Sequence, residues 1–290
     1  MIRNGCASQG LILTHTLRER HGAAMSPLYE EIGMQRLDAH IKKIGLLDQT
    51  AMSLASIHHT RLAKPPGSMG KLEDIAVQLA GITGKVKNQV ERRRIIVLCA
   101  DNGLTEEGVS LASKCVTVAQ AINMTKGGTG MSALAQYFGA EVQVVDVGIA
   151  SEYECPAILN RRVMCGTNNF TCRPAMPHES AVKAILTGIE LAKQVKDDNI
   201  DIIGVGEMGV GNSTSASAVL AALTGMPVEL VLGSDGEMSD AAFSRKKKAI
   251  KTALKQYCLN PNYPIDILSK VGGLDLAAMC GVYLGAAEYR

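Results

Sequence analysis

Several features that mark particular classes of protein are scarce in this sequence. It contains no Trp, three Phe and seven Tyr, and its 30 Lys and Arg nearly balance its 28 Asp and Glu, for a formal net charge of +2. Proteins that follow a phosphate backbone need a basic surface, and those that bind single strands add aromatic side chains on which bases stack. We therefore expect no nucleic-acid partner.

Long apolar stretches are missing too. No run of 18 uncharged apolar residues occurs, so neither a transmembrane helix nor a membrane partner is expected. Residues 1–24 carry Arg3, Arg18 and Arg20 around a short apolar run and lack the long apolar region of a signal peptide. We interpret these residues as an N-terminal extension, with Met25 as an alternative translation start.

The cysteines and histidines form none of the usual ligand patterns. No CxxC pair, HExxH motif or GxxxxGK[ST] loop is present, which disfavours a disulfide framework, a zinc site and a P-loop ATPase. Scattered cysteines are typical of a reducing compartment, so we expect a cytoplasmic protein without a metal or other cofactor. The eight cysteines are Cys6, Cys99, Cys115, Cys155, Cys165, Cys172, Cys258 and Cys280.

The sequence does contain enough apolar residues for a large core. Its 290 residues are 47% hydrophobic and 20% charged, with 29 Gly, which excludes a disordered chain and a coiled-coil rod. Four short runs rich in apolar and β-branched residues are typical of buried parallel strands, at residues 95–100, 142–147, 200–205 and 228–232. Residues 179–195 between them carry the apolar stripe of a helix.

Alternating strands and helices predict an α/β fold, a parallel-sheet Rossmann-like large domain with helices on both faces. We assign residues 91–290 to this nucleotide-binding domain. Residues 25–90 are mainly helical in pattern and predict a smaller helical subdomain. In such sheets ligands bind beyond the carboxyl ends of the strands, so chemistry is expected in the residues that follow each strand.

The most informative such segment is GVGEMGVGNSTSAS, residues 204–217. A strand, a glycine loop and a helix start make an anion site, in which Asn212, Ser213 and Thr214 cap the helix or donate to an oxyanion. Gly204, Gly206 and Gly209 also satisfy GxGxxG, which leaves a dinucleotide site open. Against it, the Glu207 carboxylate inside the loop would repel a pyrophosphate. A purely structural tight turn is the third interpretation.

Three other segments are less specific. KPPGSMG at residues 64–70 indicates an ordered loop before a helix. Asp101, directly after a predicted strand, could be catalytic, bind a ligand or cap a loop. In the basic run at residues 245–248, helical geometry lets only one or two side chains point inward.

Together these segments resemble one family, the nicotinate-nucleotide:dimethylbenzimidazole phosphoribosyltransferases, from about residue 58 to the end. The resemblance is carried by seven collinear segments: KPPGSMGKLEDIAVQLAGITG (64–84), CADNGLTEEGVS (99–110), VTVAQAINMTKGGTG (116–130), VVDVGI (144–149), NRRVMCGTNNFTCRPAM (160–176), GVGEMGVGNSTSAS (204–217) and VGGLDLAAMCGVYLGAAE (271–288).

The resemblance implies a homodimer, no cofactor, and transfer of phosphoribose from nicotinate mononucleotide to 5,6-dimethylbenzimidazole or a related aromatic base, giving α-ribazole 5′-phosphate and nicotinate in cobalamin lower-ligand assembly. By position, it implies that Glu207 is the carboxylate lining the site, Gln120 a polar wall of the base pocket and Lys246 the phosphate contact. Further positions fall in family motifs beside the site: Asp101, Gly166, Thr167, Asn168, Gly206, Gly209, Asn212, Ser213 and Thr214.

This chain departs from the family pattern in four ways. Asn102 stands where relatives usually have His, Ala112 replaces a pocket Ser, and residues 233–236 differ from the common GxGT pattern. The sequence stops at Arg290, whereas family members continue into a Gly-Glu-Gly segment that carries the general base. No residue here is assigned that role.

Two other functions stay open at this stage. A non-catalytic nucleotide-binding homologue or subunit would hold the ligand without turnover. A dinucleotide-binding oxidoreductase would use Gly204, Gly206 and Gly209.

Overall fold

A computed structural model describes residues 27–110, 112–233 and 240–290. The predicted extension at residues 1–24, and residues 234–236 of the last strand-end loop, lie outside the described residues. The strands are β1 (Arg93–Ala100), β2 (Ala140–Gly148), β3 (Leu159–Asn160) and β4 (Ile202–Met208). The helices are α1 (Pro27–Lys42), α2 (Gln49–Thr60), α3 (Lys71–Thr83), α4 (Cys115–Thr125), α5 (Gly130–Tyr137), α6 (His178–Asp197), α7 (Asn212–Thr224), α8 (Val228–Val231), α9 (Asp240–Tyr257), α10 (Pro264–Val271) and α11 (Leu274–Tyr289), with a 3-10 helix at Gly103–Glu107.

The four strands form one parallel sheet in the order β3-β2-β1-β4. Arg93 at the start of β1 pairs with Ala140 of β2 on one side and with Ile202 of β4 on the other. The strands therefore run level, and their carboxyl ends meet at one edge. The predicted strands at 95–100, 142–147 and 200–205 are confirmed; the two-residue β3 is too short for an apolar pattern to reveal.

Helices cover both faces of this sheet, as predicted. Alternate residues of β1 enter different cores: Ile96 and Leu98 pack with apolar residues of α6 and α11, whereas Val97 and Cys99 pack with residues of α4 and β2. Burial on both faces explains why β1 is continuously apolar rather than alternating. The helix predicted at 179–195 is α6.

The predicted strand at 228–232 is wrong, because this segment forms the short helix α8. Val228 and Leu232, four residues apart, are both buried, while Leu230 between them is 71% exposed. A strand would place all three side chains on one face, whereas one helical turn separates them in this way. Pro227 precedes the first turn and Glu229 lies within it, which favours a helix start.

The N-terminal helices divide between two cores. Leu37 of α1 is buried in the main core beneath the sheet, whereas Ala51 and Ala55 of α2 pack with Ala80 of α3 in a small core of their own. The domain division near residue 90 stays a prediction. Within the described ranges, no helix is both long enough and apolar enough to cross a membrane.

Candidate functional site

The end of β1 is tied to the loop that contains Gly166, Thr167 and Asn168. The Asp101 carbonyl accepts from the Thr167 amide at 3.0 Å, and the Thr167 hydroxyl accepts from the Gly103 amide at 3.1 Å. Gly166 has a φ of +76°, and Asn168 is fixed by hydrogen bonds to the carbonyls of residues 174 and 175. These predicted site residues therefore lie together at the carboxyl edge of the sheet.

Asp101 combines a structural contact with an unused oxygen. Its side chain is 1% exposed, and Oδ2 accepts from the Ala150 amide at 2.8 Å. Oδ1 is buried and has no hydrogen-bond partner among the described residues. A buried polar atom left without a partner costs free energy, so this oxygen is available to a ligand or an ordered water. Asp101 thus caps a loop without using up its carboxylate.

Asp146, at the end of β2, is held by four donors within the fold. It is fully buried and accepts hydrogen bonds from the Gly148 and Ile149 amides, the Tyr153 hydroxyl and Arg162. Four donors leave this carboxylate little capacity for a ligand, and the ion pair with Arg162 compensates for its burial.

Glu207 projects at the end of β4. Its residue pairs with Leu98 in the sheet, and its carboxylate accepts a hydrogen bond from the Asn212 amide. Burial raises the pKa of the Glu207 carboxyl, and the Asn212 contact partly opposes that rise. The site thus contains a half-buried carboxyl whose protonation depends on its burial and on its hydrogen bond with Asn212.

The glycines of the GxGxxG pattern do not form one loop. Gly204 and Gly206 lie inside β4, and Gly206 pairs with Val97 of β1. Only Gly209 follows the strand, packed so closely that a Cβ there would lie 2.1 Å from the Ala100 carbonyl oxygen. A dinucleotide fingerprint needs its glycines after the strand, so the oxidoreductase interpretation is wrong.

The first turn of α7 supplies hydroxyl and amide groups. Gly211 precedes it with a φ of +92°, and Asn212, Ser213 and Thr214 follow at the positive end of the helix dipole. Thr214 is fully buried, and its hydroxyl has no hydrogen-bond partner within the described ranges. This turn can receive an anion.

Lys246 reaches the same turn from α9. Its side chain is 3% exposed, and Nζ lies 3.2 Å from the Ser213 hydroxyl oxygen. Lys248 is exposed, and Arg245 donates to the Gly108 carbonyl at 2.8 Å. The prediction that only one or two residues of the basic run point inward is confirmed.

Gln120 lies on α4, which borders the site through Thr117. The Thr117 hydroxyl is fully buried and accepts from the Val210 amide at 3.1 Å, which fixes the loop after β4. Gln120 is half-buried one helical turn further along α4. Its role as a wall of the base pocket stays a prediction.

Sequence reasoning missed Asp275. It is fully buried in the first turn of α11, and burial together with the Glu207 charge raises its pKa to about 7. The available signal was a lone acid in the otherwise apolar run VGGLDLAAM, two residues after a pair of glycines.

The carboxyl edge of the sheet therefore combines two features. An anion cradle is made by the α7 turn and Lys246, and carboxyls at Asp101, Glu207 and Asp275 stand beside it. Such a site can hold a phosphorylated ligand and place a carboxylate near positive charge that develops on it.

Comparisons with known proteins agree on one family. A family model described as phosphoribosyltransferase (DBI_PRT) matches residues 44–290. Nicotinate-nucleotide–dimethylbenzimidazole phosphoribosyltransferases from Clostridium perfringens and Clostridium acetobutylicum are 44% and 42% identical over 254 and 250 residues, which cover 88% and 86% of this chain and 70% and 71% of those proteins. A crystal structure of the enzyme of that name from Thermus thermophilus is similar with a TM-score of 0.76 at 36% identity, covering 82% of this chain and 71% of that one.

Proposed function

This chain belongs to the nicotinate-nucleotide–dimethylbenzimidazole phosphoribosyltransferase family. We propose that it catalyses phosphoribosyl transfer with the residues at the carboxyl edge of its sheet. The chain transfers phosphoribose from nicotinate mononucleotide to a nitrogen of 5,6-dimethylbenzimidazole or a related aromatic base. The products are α-ribazole 5′-phosphate and nicotinate, which places the reaction in cobalamin synthesis.

The reaction replaces one carbon–nitrogen bond with another. The bond between the anomeric carbon and the nicotinate nitrogen breaks, and nicotinate leaves with the electron pair. The unprotonated ring nitrogen of the benzimidazole forms the new bond with its lone pair, and the proton on the other ring nitrogen passes to water. The sugar carries positive charge in between, so the site needs a phosphate anchor and a carboxylate close to the ring.

The observation that carries the proposal is the buried Lys246 at the first turn of α7. Its ammonium lies 3.2 Å from the Ser213 hydroxyl oxygen, beside the positive end of the helix dipole. A buried cation, a hydroxyl and a helix N-terminus together make a phosphate site. We assign the 5′-phosphate of the nucleotide to Lys246, Ser213 and Thr214.

Glu207 lies at the end of β4, five residues before Asn212. Its carboxylate accepts a hydrogen bond from the side-chain amide of Asn212. With the phosphate anchored at α7, the ribose extends toward β4. Glu207 in its ionised form then stabilises positive charge on the sugar ring, because attraction in a water-poor site exceeds that in bulk water.

The remaining predicted positions shape the pocket. We assign Gly206, where a Cβ would meet no atom within 4 Å, to close approach of the ligand at β4, and Gly209 to the close packing of the following loop against Ala100. Asp101 and the loop of Gly166, Thr167 and Asn168 form the floor at β1. Gln120 forms a polar wall for the aromatic base.

The protein acts as a homodimer in the cytoplasm. The helices α2 and α3 pack mainly on each other and leave several apolar side chains half exposed. This exposed apolar surface supports the homodimer. A reducing compartment is supported by seven cysteines in the described residues, all of them free thiols.

The direct test is to incubate the protein with nicotinate mononucleotide and 5,6-dimethylbenzimidazole and to measure α-ribazole 5′-phosphate by chromatography and mass spectrometry. We expect product and free nicotinate in equal amounts. Saturable nucleotide binding without product would instead identify a non-catalytic binding protein.

A further inference from the structure

Of the three carboxyls beside the anion cradle, Asp101, Glu207 and Asp275, the proposed mechanism gives no role to Asp275. It is 0% exposed, and its Oδ1 accepts from the Leu276 amide at 2.9 Å. A fully buried carboxyl is costly unless it is neutral or well paired. The burial of Asp275 at that cost in free energy indicates that its carboxyl has a specific role.

The second oxygen of Asp275 faces Asn102. Asp275 Oδ2 and Asn102 Nδ2 both lie 3.2 Å from the point that a Cβ would occupy on Gly209. The nearby Asn102 amide favours the charged form of Asp275, against the effect of burial. Both atoms are buried, and neither has a hydrogen-bond partner among the described residues, so a donor and an acceptor without partners face the same point between the two side chains.

Asn102 also contacts α7. Its Oδ1 accepts from the Ser215 hydroxyl at 2.9 Å, and both residues are 1% exposed. Ser215 follows the Asn212–Thr214 turn, and Asn212 donates to Glu207. A continuous series of contacts therefore joins the start of α11 to β1, to α7 and finally to Glu207.

We propose that Asp275 is a positioning residue for phosphoribosyl transfer, which holds Asn102 and, through Asn102 and Ser215, the first turn of α7 at the place where Asn212 binds Glu207. This inference rests on the proposed function, because it concerns the geometry of the carboxylate that serves that reaction.

The charges around Asp275 favour its neutral form. Burial and the Glu207 charge on β4 raise its pKa to about 7. Asp101, Asp146 and Glu207, with Asp275, all act on the Cys99 thiol of β1, whose pKa is raised by burial and by these acids. Asp146 has Arg162 as its counter-ion, and Lys246 is held at Ser213 on the other side of α7. As pH rises through about 7, Asp275 therefore gains a charge close to Glu207 and repels it.

The first test is Asp275→Asn, which keeps the side-chain size but has one acceptor oxygen. Its single oxygen cannot accept from the Leu276 amide and also face the Asn102 amide, so the series of contacts is broken. We expect kcat for α-ribazole 5′-phosphate to fall roughly 10- to 100-fold, with KM for nicotinate mononucleotide little changed, because Glu207 acts in the transition state. The ionisation near pH 7 in the kcat profile should also disappear.

The matched control is Asp266→Asn. Asp266 also lies in the first turn of a helix, α10, but it is paired with Lys270 at the surface, so kcat and the pH profile should be unchanged. If Asp275→Asn fails to fold, Ser215→Ala removes only the hydroxyl contact to Asn102 and should lower kcat in the same direction. A folded Asp275→Asn, or failing that Ser215→Ala, with wild-type kcat overturns the proposal.

A second readout does not need activity. Carbon-13 NMR of the side-chain carboxyls in the wild-type protein should show Asp275 titrating well above the usual range for Asp, and Glu207→Gln should lower that pKa by removing the neighbouring charge. An ordinary pKa for Asp275, or one unmoved by Glu207→Gln, overturns the coupling that the proposal requires. If the NMR results are as expected but the wild-type protein forms no product, it is the proposed function that fails.

Discussion

Lys246 and Lys248 are two residues apart on α9 and have opposite surroundings. Lys246 is 3% exposed beside Ser213, whereas Lys248 is exposed. We expect Lys246→Ala to weaken binding of nicotinate mononucleotide about 10- to 100-fold, because a hydrogen bond to a charged group is lost from a buried site. Calorimetric titration of the nucleotide and, separately, of free 5,6-dimethylbenzimidazole measures this effect.

Lys248→Ala is the control for that prediction, since it removes the same charge from the surface of the same helix. Its affinity for the nucleotide should match that of the wild-type protein within error. Equal losses of nucleotide and benzimidazole binding in Lys246→Ala would indicate a folding defect and contradict the phosphate role.

The same comparison shows how far single residues could be predicted. Helical geometry allowed one or two inward side chains among residues 245–248, but it could not say which, because the choice depends on where α9 packs. Asp275 was not predicted at all. Its surroundings come from β1, β4 and α11, which are far apart in sequence, so no local pattern reports its burial.

At the scale of elements, α6 and α11 lie unusually close together. A Cβ on Gly281 would lie 1.9 Å from the Ile185 carbonyl oxygen, and one on Gly188 would lie 2.0 Å from the Ala278 carbonyl oxygen. These clashes are with backbone atoms, so the helices must separate to admit a methyl group. We expect Gly281→Ala to lower the free energy of unfolding by about 1–3 kcal/mol, measured by urea denaturation.

Gly130→Ala is the matched control for the helix crossing. Gly130 begins α5 and has no atom within 4 Å of the position of its missing Cβ. This substitution should be neutral or slightly stabilising, because Ala favours helix more than Gly. Equal stability of the two variants would mean that the helices approach less closely than described.

The elements themselves were predictable where burial is symmetrical. Residues 95–100 are apolar throughout because both faces of β1 are covered, and that signal is local. Residues 228–232 are apolar except for Glu229, yet Val228 and Leu232 face the core across one helical turn while Leu230 is exposed. A short segment rich in apolar residues does not distinguish a strand from a helical turn, and only the packing position decides.

For the whole molecule, the parallel sheet explains why distant motifs act together. β1, β2 and β4 start level, so residues from 101, 146 and 207 onward reach one edge although they are separated by long crossovers. The α/β class could therefore be predicted from the alternation of strands and helices, and the gathering of the motif residues at one edge from their positions after the strands. The contacts between α11, β1 and α7 could not, because they depend on how the crossovers pack.

The last prediction concerns assembly. α2 and α3 pack on each other through small alanines and leave apolar residues half exposed at i, i+3 spacing, Leu54 and Ile57 on α2 and Leu72 and Ile75 on α3. Each pair lies on one side of its helix, and exposed apolar surface of this kind marks an interface.

We expect a dimer in sedimentation velocity, and we expect Leu54→Glu combined with Ile75→Glu to weaken it more than about tenfold. Leu230→Glu, at a 71% exposed position on α8, is the control and should remain dimeric. A monomeric wild-type protein would contradict the dimer, and an unchanged dimer in the double variant would place the interface away from α2 and α3.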